Sequence, residues 1–308
     1  MRIASLLASG TELVCALGAG DSLVARSHEC DHPEWVRGLP ALSRPTFDTS
    51  LASCEIDRVV RERLRAGQPL YEVDEELLAA LAPDVLITQT HCEVCAVTPA
   101  DLTQEAALRL RRTPVVALAT GTLDGILEGF LNVAGVIERR EAGEELVTGI
   151  RRRLALIQEK TRPLPQPTVV CLEWIDPIFL MGNWGPELVA QSGGTELLGA
   201  PGGHSVGAQW EDVLRADPLV LLVAPCGFGI ERTLTEMPIL AKKPGWNDLR
   251  AVRSGRVVVA DGNRYFHRSG PGILETAEIL AEILHPHEFP PRHENKAWQS
   301  YPSRRGVH

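Results

Sequence analysis

The stretch Leu81-Ala82-Pro83-Asp84-Val85-Leu86-Ile87-Thr88 decides the fold class of this chain. A Pro-Asp turn leads directly into a continuous apolar run, which is typical of a strand buried on both faces of a parallel sheet. The residues before it predict a helix from Asp74, its N-cap, through Leu81. A helix, a short turn and an apolar strand form the repeating unit of an α/β fold.

The same alternation continues on both sides of this stretch. The further predicted strands are Ile3–Leu7, Leu23–Arg26, Thr113–Ala119, Val169–Leu172, Leu219–Ala224 and Val257–Ala260. Between the two groups, residues 123–160 predict one helical segment, interrupted only around Gly135 and Gly143, with an apolar stripe in its last part. The sequence therefore predicts an α/β protein of two Rossmann-like lobes joined by one long rigid interlobe helix, with a ligand cleft between the lobes.

This prediction divides the 308-residue chain into four parts. Residues 1–121 form the N-terminal lobe, 122–161 the interlobe helix, 162–289 the C-terminal lobe and 290–308 a tail. The tail is rich in Pro, Arg, His and Ser, and we expect it to be loosely held. Because one continuous helix resists hinge bending, we expect the lobes to move little relative to each other.

Composition excludes several classes of protein. A net charge of −9 without a basic stripe argues against a nucleic-acid partner. No apolar run reaches the roughly 18 residues that span a bilayer, so the chain is not expected to be membrane-embedded. Seven scattered cysteines suit a reducing compartment. Met1-Arg2 leads straight into the first predicted strand without a signal peptide, which indicates a cytoplasmic protein, or a periplasmic one if the true start lies upstream.

Two polar blocks directly follow predicted strands. Ser27-His28-Glu29-Cys30-Asp31-His32 follows the second strand, and Gln89-Thr90-His91-Cys92-Glu93-Val94-Cys95 follows the strand Val85–Thr88. Because parallel strands end at the same edge of a sheet, these blocks are expected to lie together. The candidate ligands for zinc or another transition metal are His28, Cys30, His91, Cys92 and Cys95. A redox pair is an alternative interpretation of Cys92-x-x-Cys95.

Strand ends in the second half carry aromatic residues and one arginine. These segments are Glu173-Trp174, Pro225-Cys226-Gly227-Phe228 and Tyr265-Phe266-His267-Arg268. If the halves face each other, thiols and acids line one side of the cleft, and aromatics with one arginine line the other. Core or rim packing is the alternative role of Trp174 and Trp184. Arg268 precedes a predicted helix start, a position that suits a phosphate or carboxylate partner.

Catalysis has little support in the sequence. There is no Walker motif, no nucleophile elbow and no His-Glu-x-x-His motif. No nucleophile, base and orienting residue form a recognisable set, so the sequence predicts a binding protein that is not an enzyme. A thiol-dependent enzyme with Cys92 or Cys95 as nucleophile is a third hypothesis.

The opening Ile3-Ala4-Ser5-Leu6-Leu7-Ala8-Ser9-Gly10-Thr11-Glu12-Leu13 resembles the start of cobalamin- and siderophore-type substrate-binding proteins of ABC importers. Ser27-x-x-Cys30-Asp31-x-Pro33, the stretch Leu81–Ile87 and Gly193-Gly194 resemble the same family, and the resemblance extends to about Leu284. It implies the family's fold, with a rigid helix between two lobes, and a small-molecule ligand that is held without being chemically converted.

The chain resembles in particular a subgroup labelled cobalamin-binding. The matching segments are Ser27–Asp31, Gln89-x-x-Cys92-x-Val94-Cys95, Glu173-Trp174-x-x-Pro177, Pro225–Phe228 and Leu280–Pro286. The resemblance implies cobalamin or a related corrinoid as the ligand, packed by aromatics, with Arg268 in the position of a family arginine. The residues expected to contact the ligand are Glu29, Gln89, Glu173, Trp174, Trp184, Phe228, Tyr265, Phe266 and Arg268. Glu29 stands where transporter members of the family carry an aromatic residue.

The resemblance also implies a partner. Glu76 and Glu211 fall at the positions of the family's two permease-docking acids, one in each lobe. The expected partner is an ABC permease or an intracellular corrinoid acceptor. The alternative function is binding of a transition metal or metal chelate through the cysteine and histidine residues of the cleft.

Overall fold

The structure is a computed structural model that describes residues 1–89, 97, 113–118 and 121–302. The first lobe is built on a parallel sheet with strand order β2-β1-β5-β6. Its strands are β1 (Ile3–Ser5), β2 (Leu23–Ala25), β5 (Val85–Gln89) and β6 (Val115–Leu118). A separate antiparallel pair consists of β3 (Ser43–Pro45) and β4 (Tyr71–Val73).

The second lobe contains a larger mixed sheet with strand order β10-β8-β7-β11-β12-β13, and β9 pairs with the start of β7. Its strands are β7 (Thr168–Trp174), β8 (Phe179–Leu180), β9 (Thr195–Glu196), β10 (Val206–Gly207), β11 (Val220–Val223), β12 (Val257–Ala260) and β13 (Trp298–Ser300). The central strands β7, β11 and β12 are parallel to one another. The predicted α/β fold with two lobes is confirmed.

Helices cover the sheets of both lobes. In chain order they are α1 (Ala8–Ala16), α2 (Ser53–Arg65), α3 (Glu75–Leu81), α4 (Leu123–Val136), α5 (Arg140–Thr161), α6 (Gly185–Gln191), α7 (Trp210–Ala216), α8 (Ile230–Ala241), α9 (Arg250–Arg253) and α10 (Ile273–Leu284). The Asp74 side chain accepts a hydrogen bond from the Leu77 amide at 2.9 Å, which confirms it as the cap of α3. In the described ranges, no helix is both long enough and apolar enough to cross a membrane.

The prediction of one helix over residues 123–160 is wrong, because the chain reverses between α4 and α5. Glu138 adopts a left-handed backbone conformation with φ of 59°, and the Arg139 amide bonds the Ala134 carbonyl. The helices then pack closely, since a Cβ added at Gly143 would lie 2.5 Å from the Ala134 Cβ. Gly143 therefore permits helix contact and does not interrupt the helix. The single long connection is α5, about 33 Å in length.

One apolar core runs from the first lobe along α5 into the second. Phe130 of α4 and Ile150 and Leu154 of α5 belong to the same buried cluster as Ile3 of β1 and Val169 of β7. A second cluster fills the far side of the larger sheet. Because α5 is packed into a continuous core, it couples the two sheets mechanically. The boundaries at residues 121, 161 and 289 stay predictions.

The tail is not loosely held over the part that the structure describes. Trp298–Ser300 pairs with β12 as an antiparallel edge strand. The buried Glu282 carboxylate of α10 accepts hydrogen bonds from the His293 amide at 3.0 Å and from Trp298 Nε1 at 3.2 Å. The expectation of a loosely held tail is therefore wrong for the described part of this segment. A buried aromatic side chain and a buried carboxylate hold it in place.

Candidate functional site

Residues that follow strands of the first lobe contact residues that follow strands of the second. Ser9 and Asp31 come after β1 and β2, and they face Arg268 and Ser269, which come after β12. A Cβ added at Gly270 would lie 3.3 Å from the Ser9 Cα, so the lobes approach closely there. We use "the cleft" for the space between the carboxyl ends of the two sheets.

Arg268 is held at the lobe interface by two carboxylates of the other lobe. Its Nη1 lies 2.6 Å from Glu12 Oε1 and 2.7 Å from Asp31 Oδ1, and the residue is 5% exposed. Burial raises the pKa of Glu12, although the Arg268 charge acts against it. Burial also tends to raise the pKa of Asp31, but the hydrogen bond and charge of Arg268 hold it below its usual value. Arg268 therefore forms an ion pair between the lobes.

A second set of contacts also joins the two lobes. The Ser53 amide, at the start of α2, donates to Glu236 Oε1 of α8 at 3.1 Å, and its carbonyl accepts from Trp174 Nε1 at 3.2 Å. Arg232, one turn before Glu236, bonds the Ser50 carbonyl at 2.8 Å and Glu236 at 3.2 Å. Trp174 thus lies at the lobe interface.

The second lobe also presents a polar group at the ends of β7 and β11. Glu173 Oε2 accepts from the Ser205 hydroxyl at 2.5 Å and lies 3.8 Å from His267 Nδ1. His267 Nε2 lies 2.6 Å from the Ala224 carbonyl oxygen. Since a carbonyl only accepts, Nε2 carries the proton and Nδ1 faces Glu173.

Of the predicted aromatic residues, the structure pairs Trp174 with Phe228. Their ring centroids are 5.0 Å apart, and Arg232 lies over the Phe228 ring at 4.8 Å. The Tyr265 ring is partly exposed and contacts the Arg264 guanidinium at 5.2 Å. Trp184 and Phe266 are 5% and 3% exposed and belong to the apolar core cluster, so these two side chains pack inside the protein.

The predicted metal ligands do not assemble within the described residues. Cys30 Sγ is buried between the hydroxyls of Thr11 at 3.0 Å and Ser27 at 3.3 Å, and burial raises the pKa of its thiol. His28 Nδ1 lies 2.9 Å from Ser43 Oγ. Across residues 1–89, 97, 113–118 and 121–302, no three His, Cys, Asp or Glu side chains are grouped so as to hold a metal. His91, Cys92 and Cys95 lie outside these ranges.

The remaining predicted residues occupy different positions. Gln89 is buried at the end of β5. Glu29 is partly exposed, and its Oε1 lies 3.3 Å from His28 Nε2. Glu76 and Glu211 are exposed in the first turns of α3 and α7, one in each lobe.

Several interface residues carry no signal in the sequence analysis. These residues lie on helices with ordinary local patterns, and their partners in the other lobe are 121 to 256 residues away along the chain: Glu12, Ser53, Arg232 and Glu236. The i, i+4 spacing of Arg232 and Glu236 suggests only a surface helix pair. His267 is the exception, because it lies within a polar segment that follows a predicted strand.

Comparisons with known proteins agree with this architecture. The family model described as periplasmic binding protein matches residues 3–263. A vitamin B12-binding protein of Vibrio campbellii is 24% identical over 225 residues, which are 72% of this chain and 70% of that protein. An uncharacterized ABC transporter substrate-binding lipoprotein of Bacillus subtilis is 22% identical over 94% of this chain and 81% of its own. The crystal structure of a periplasmic heme binding protein from Pseudomonas aeruginosa has a TM-score of 0.70 at 20% identity, covering 93% of both chains.

Proposed function

The chain belongs to the periplasmic binding protein family, and on this premise we propose that it binds cobalamin or a related corrinoid in the cleft. Members of the family are substrate-binding proteins of ABC transporters, which bind a ligand without converting it. The similarity to a vitamin B12-binding protein supports the choice of ligand.

The observation that carries the proposal is the aromatic pair Trp174–Phe228. Trp174 is the last residue of β7 and Phe228 follows the adjacent parallel strand β11, and Trp174 reaches across to Ser53 of the first lobe. Because Phe228 is 5% exposed, the face offered to a flat macrocycle is that of the partly exposed Trp174, which Phe228 supports. The polar group Glu173–His267 lies beside the pair and offers acceptors to the amide groups around a corrin ring.

The proposal extends to a partner. Glu76 and Glu211 are exposed on opposite lobes and suit a basic docking surface, as on a permease. An intracellular corrinoid acceptor is the alternative partner.

One experiment separates the proposed ligand from the alternatives. The protein is incubated with hydroxocobalamin, passed through a gel-filtration column, and examined by ultraviolet–visible spectroscopy and metal analysis. We expect a corrinoid absorption band that co-elutes with stoichiometric cobalt. Zinc or another metal without the corrinoid band would instead support the metal-binding alternative, and neither signal would contradict both. A Trp35→Ala variant, altered at a half-exposed residue of the first lobe, is the control and should bind like the wild type.

A further inference from the structure

Trp174 is held in place by a residue of the opposite lobe. Its Nε1 donates a hydrogen bond to the Ser53 carbonyl at 3.2 Å, and the two residues are 121 positions apart along the chain. The indole ring also packs against the buried Phe228, with 5.0 Å between the ring centroids. The indole is therefore fixed from two sides, by a backbone carbonyl of the first lobe and by an aromatic ring of the second.

The position of Ser53 depends in turn on Glu236 of the second lobe. Ser53 is the first residue of α2 and is fully buried, and its amide donates to Glu236 Oε1 at 3.1 Å and to Oε2 at 3.3 Å. The first amides of a helix have no partner within the helix, and the preceding Ala52 has no side-chain acceptor to offer. Glu236 thus takes the place of an N-cap from the opposite lobe, where its negative charge also suits the positive end of the helix.

Ser53 makes both of these contacts with its backbone. Its Oγ is buried and has no partner among the described residues. The same holds for Nε of Arg232, whose other nitrogens bond the Ser50 carbonyl and Glu236. A buried donor without a partner lowers stability, so the side chains of this contact are not arranged for stability alone. The backbone link from Glu236 through Ser53 to Trp174, by contrast, is complete.

We propose that Glu236 is a positioning residue for the ligand: through Ser53, it holds the Trp174 indole in the orientation that packs against the bound molecule. This inference rests on the proposed function, in which Trp174 contacts the ligand. Glu236 itself is 6% exposed, and its carboxylate is occupied by the Ser53 amide and Arg232. A side chain that is already ordered loses less conformational freedom when the ligand binds. The contact between α2 and α8 therefore raises affinity without touching the ligand.

A double-mutant cycle on the affinity for hydroxocobalamin tests this link. Glu236→Ala removes the acceptor of the Ser53 amide. In the wild-type background it should weaken binding by about two- to tenfold, the effect of leaving one side chain to be ordered by the ligand. Trp174→Phe keeps an aromatic ring but has no N–H to donate to Ser53. In the Trp174→Phe background, Glu236→Ala should therefore weaken binding by less than about twofold.

Two further variants separate positioning from a general loss of stability. Glu236→Gln keeps an oxygen that can accept from the Ser53 amide, so it should recover most of the affinity lost in Glu236→Ala. Ser53→Pro removes the amide N–H at the first position of α2, where proline is compatible with a helix. Ala52 already has the extended conformation that precedes proline, with φ of −60° and ψ of 152°. Ser53→Pro should show the same coupling to Trp174, and it tests the link even if Glu236→Ala does not fold.

Glu282→Ala is the matched control. Glu282 is another buried carboxylate of the second lobe, 4% exposed, and it holds the tail through His293 and Trp298. Its loss should lower stability but change the affinity by the same factor with and without Trp174→Phe. Equal effects of Glu236→Ala in the two backgrounds would overturn the inference and leave the proposed function intact. Absence of binding by the wild type would overturn the proposed function itself, and the inference with it.

Discussion

Arg268 of the second lobe and Glu12 of the first form a buried ion pair, with 2.6 Å between Nη1 and Oε1. The two residues are 256 positions apart, so the pair joins the lobes directly. Asp31 adds a second carboxylate at 2.7 Å. The Glu12 side chain is nearly buried and that of Asp31 is partly buried, so both charged carboxylates are stabilised by the guanidinium that they share.

Arg268→Ala should therefore destabilise the protein. Truncation leaves two carboxylates at the interface without their cation, and we expect the free energy of unfolding to fall by about 3 kcal/mol in urea denaturation. Arg37→Ala is the matched control, because Arg37 is 62% exposed and lies 3.9 Å from the same Asp31. The Arg37→Ala substitution should lower the free energy of unfolding by at most about 1 kcal/mol. Similar losses in the two variants would contradict the assigned role of Arg268.

Acid should weaken the contribution of Asp31 to the free energy of unfolding. Its pKa in the folded protein lies below the usual 3.8, so the stability it supplies is present above that value and is lost as the pH falls through the folded pKa. The difference in unfolding free energy between wild type and Asp31→Asn should be largest near neutral pH and smaller at about pH 3. Glu12 is retained in both proteins, but the Asp31 charge contributes to its raised pKa, so the comparison reports the coupled pair. A difference that does not change with pH would argue against this pairing.

The reversal between α4 and α5 predicts opposite effects for two glycines on one helix. Gly143→Ala places a methyl group against Ala134, and the overpacking should cost about 1–3 kcal/mol of stability. The methyl group added by Gly149→Ala lies on the exposed face of α5 and meets no atom within 4 Å, so this substitution should stabilise the protein by up to about 1 kcal/mol. Thermal unfolding should show a lower midpoint for Gly143→Ala and a higher midpoint for Gly149→Ala than for the wild type. Two stabilised variants would mean that the helices are not in contact at Gly143.

Trp174→Ala tests the aromatic pair. Removing the indole should weaken hydroxocobalamin binding by about 1–3 kcal/mol in titration calorimetry. The residue is only partly buried, so the circular dichroism spectrum should stay that of the wild type. Trp35→Ala removes a more exposed indole of the first lobe and should bind normally. Unchanged affinity in Trp174→Ala would exclude this side chain from the ligand contacts.

Local pattern was enough to predict most strands. The apolar run after Pro83-Asp84 predicted Val85–Thr88, and the strand found is Val85–Gln89. The break before α5 lies next to the interruption predicted around Gly135, but the reversal of the chain was not predicted, because the residue in the left-handed conformation is Glu138, which gives no turn signal. The order of the tail was missed because composition does not show that Trp298 and His293 meet the buried Glu282.

The site was predicted less completely than the fold. A strand end places a residue near the cleft but does not fix the direction of its side chain, so Cys30 and Phe266 turned out to be buried in the protein. Arg268 was correctly expected to come after the last parallel strand, but its partners Glu12 and Asp31 depend on how the lobes are placed. Contacts across a lobe interface have no sequence period, and only the folded structure reveals them.

The most direct test of the account is titration calorimetry of the wild-type protein with hydroxocobalamin. We predict saturable binding with stoichiometry near one and a dissociation constant in the micromolar range or below, about −8 kcal/mol or more favourable. Absence of binding at tens of micromolar protein and ligand would contradict the proposal that the cleft binds a corrinoid.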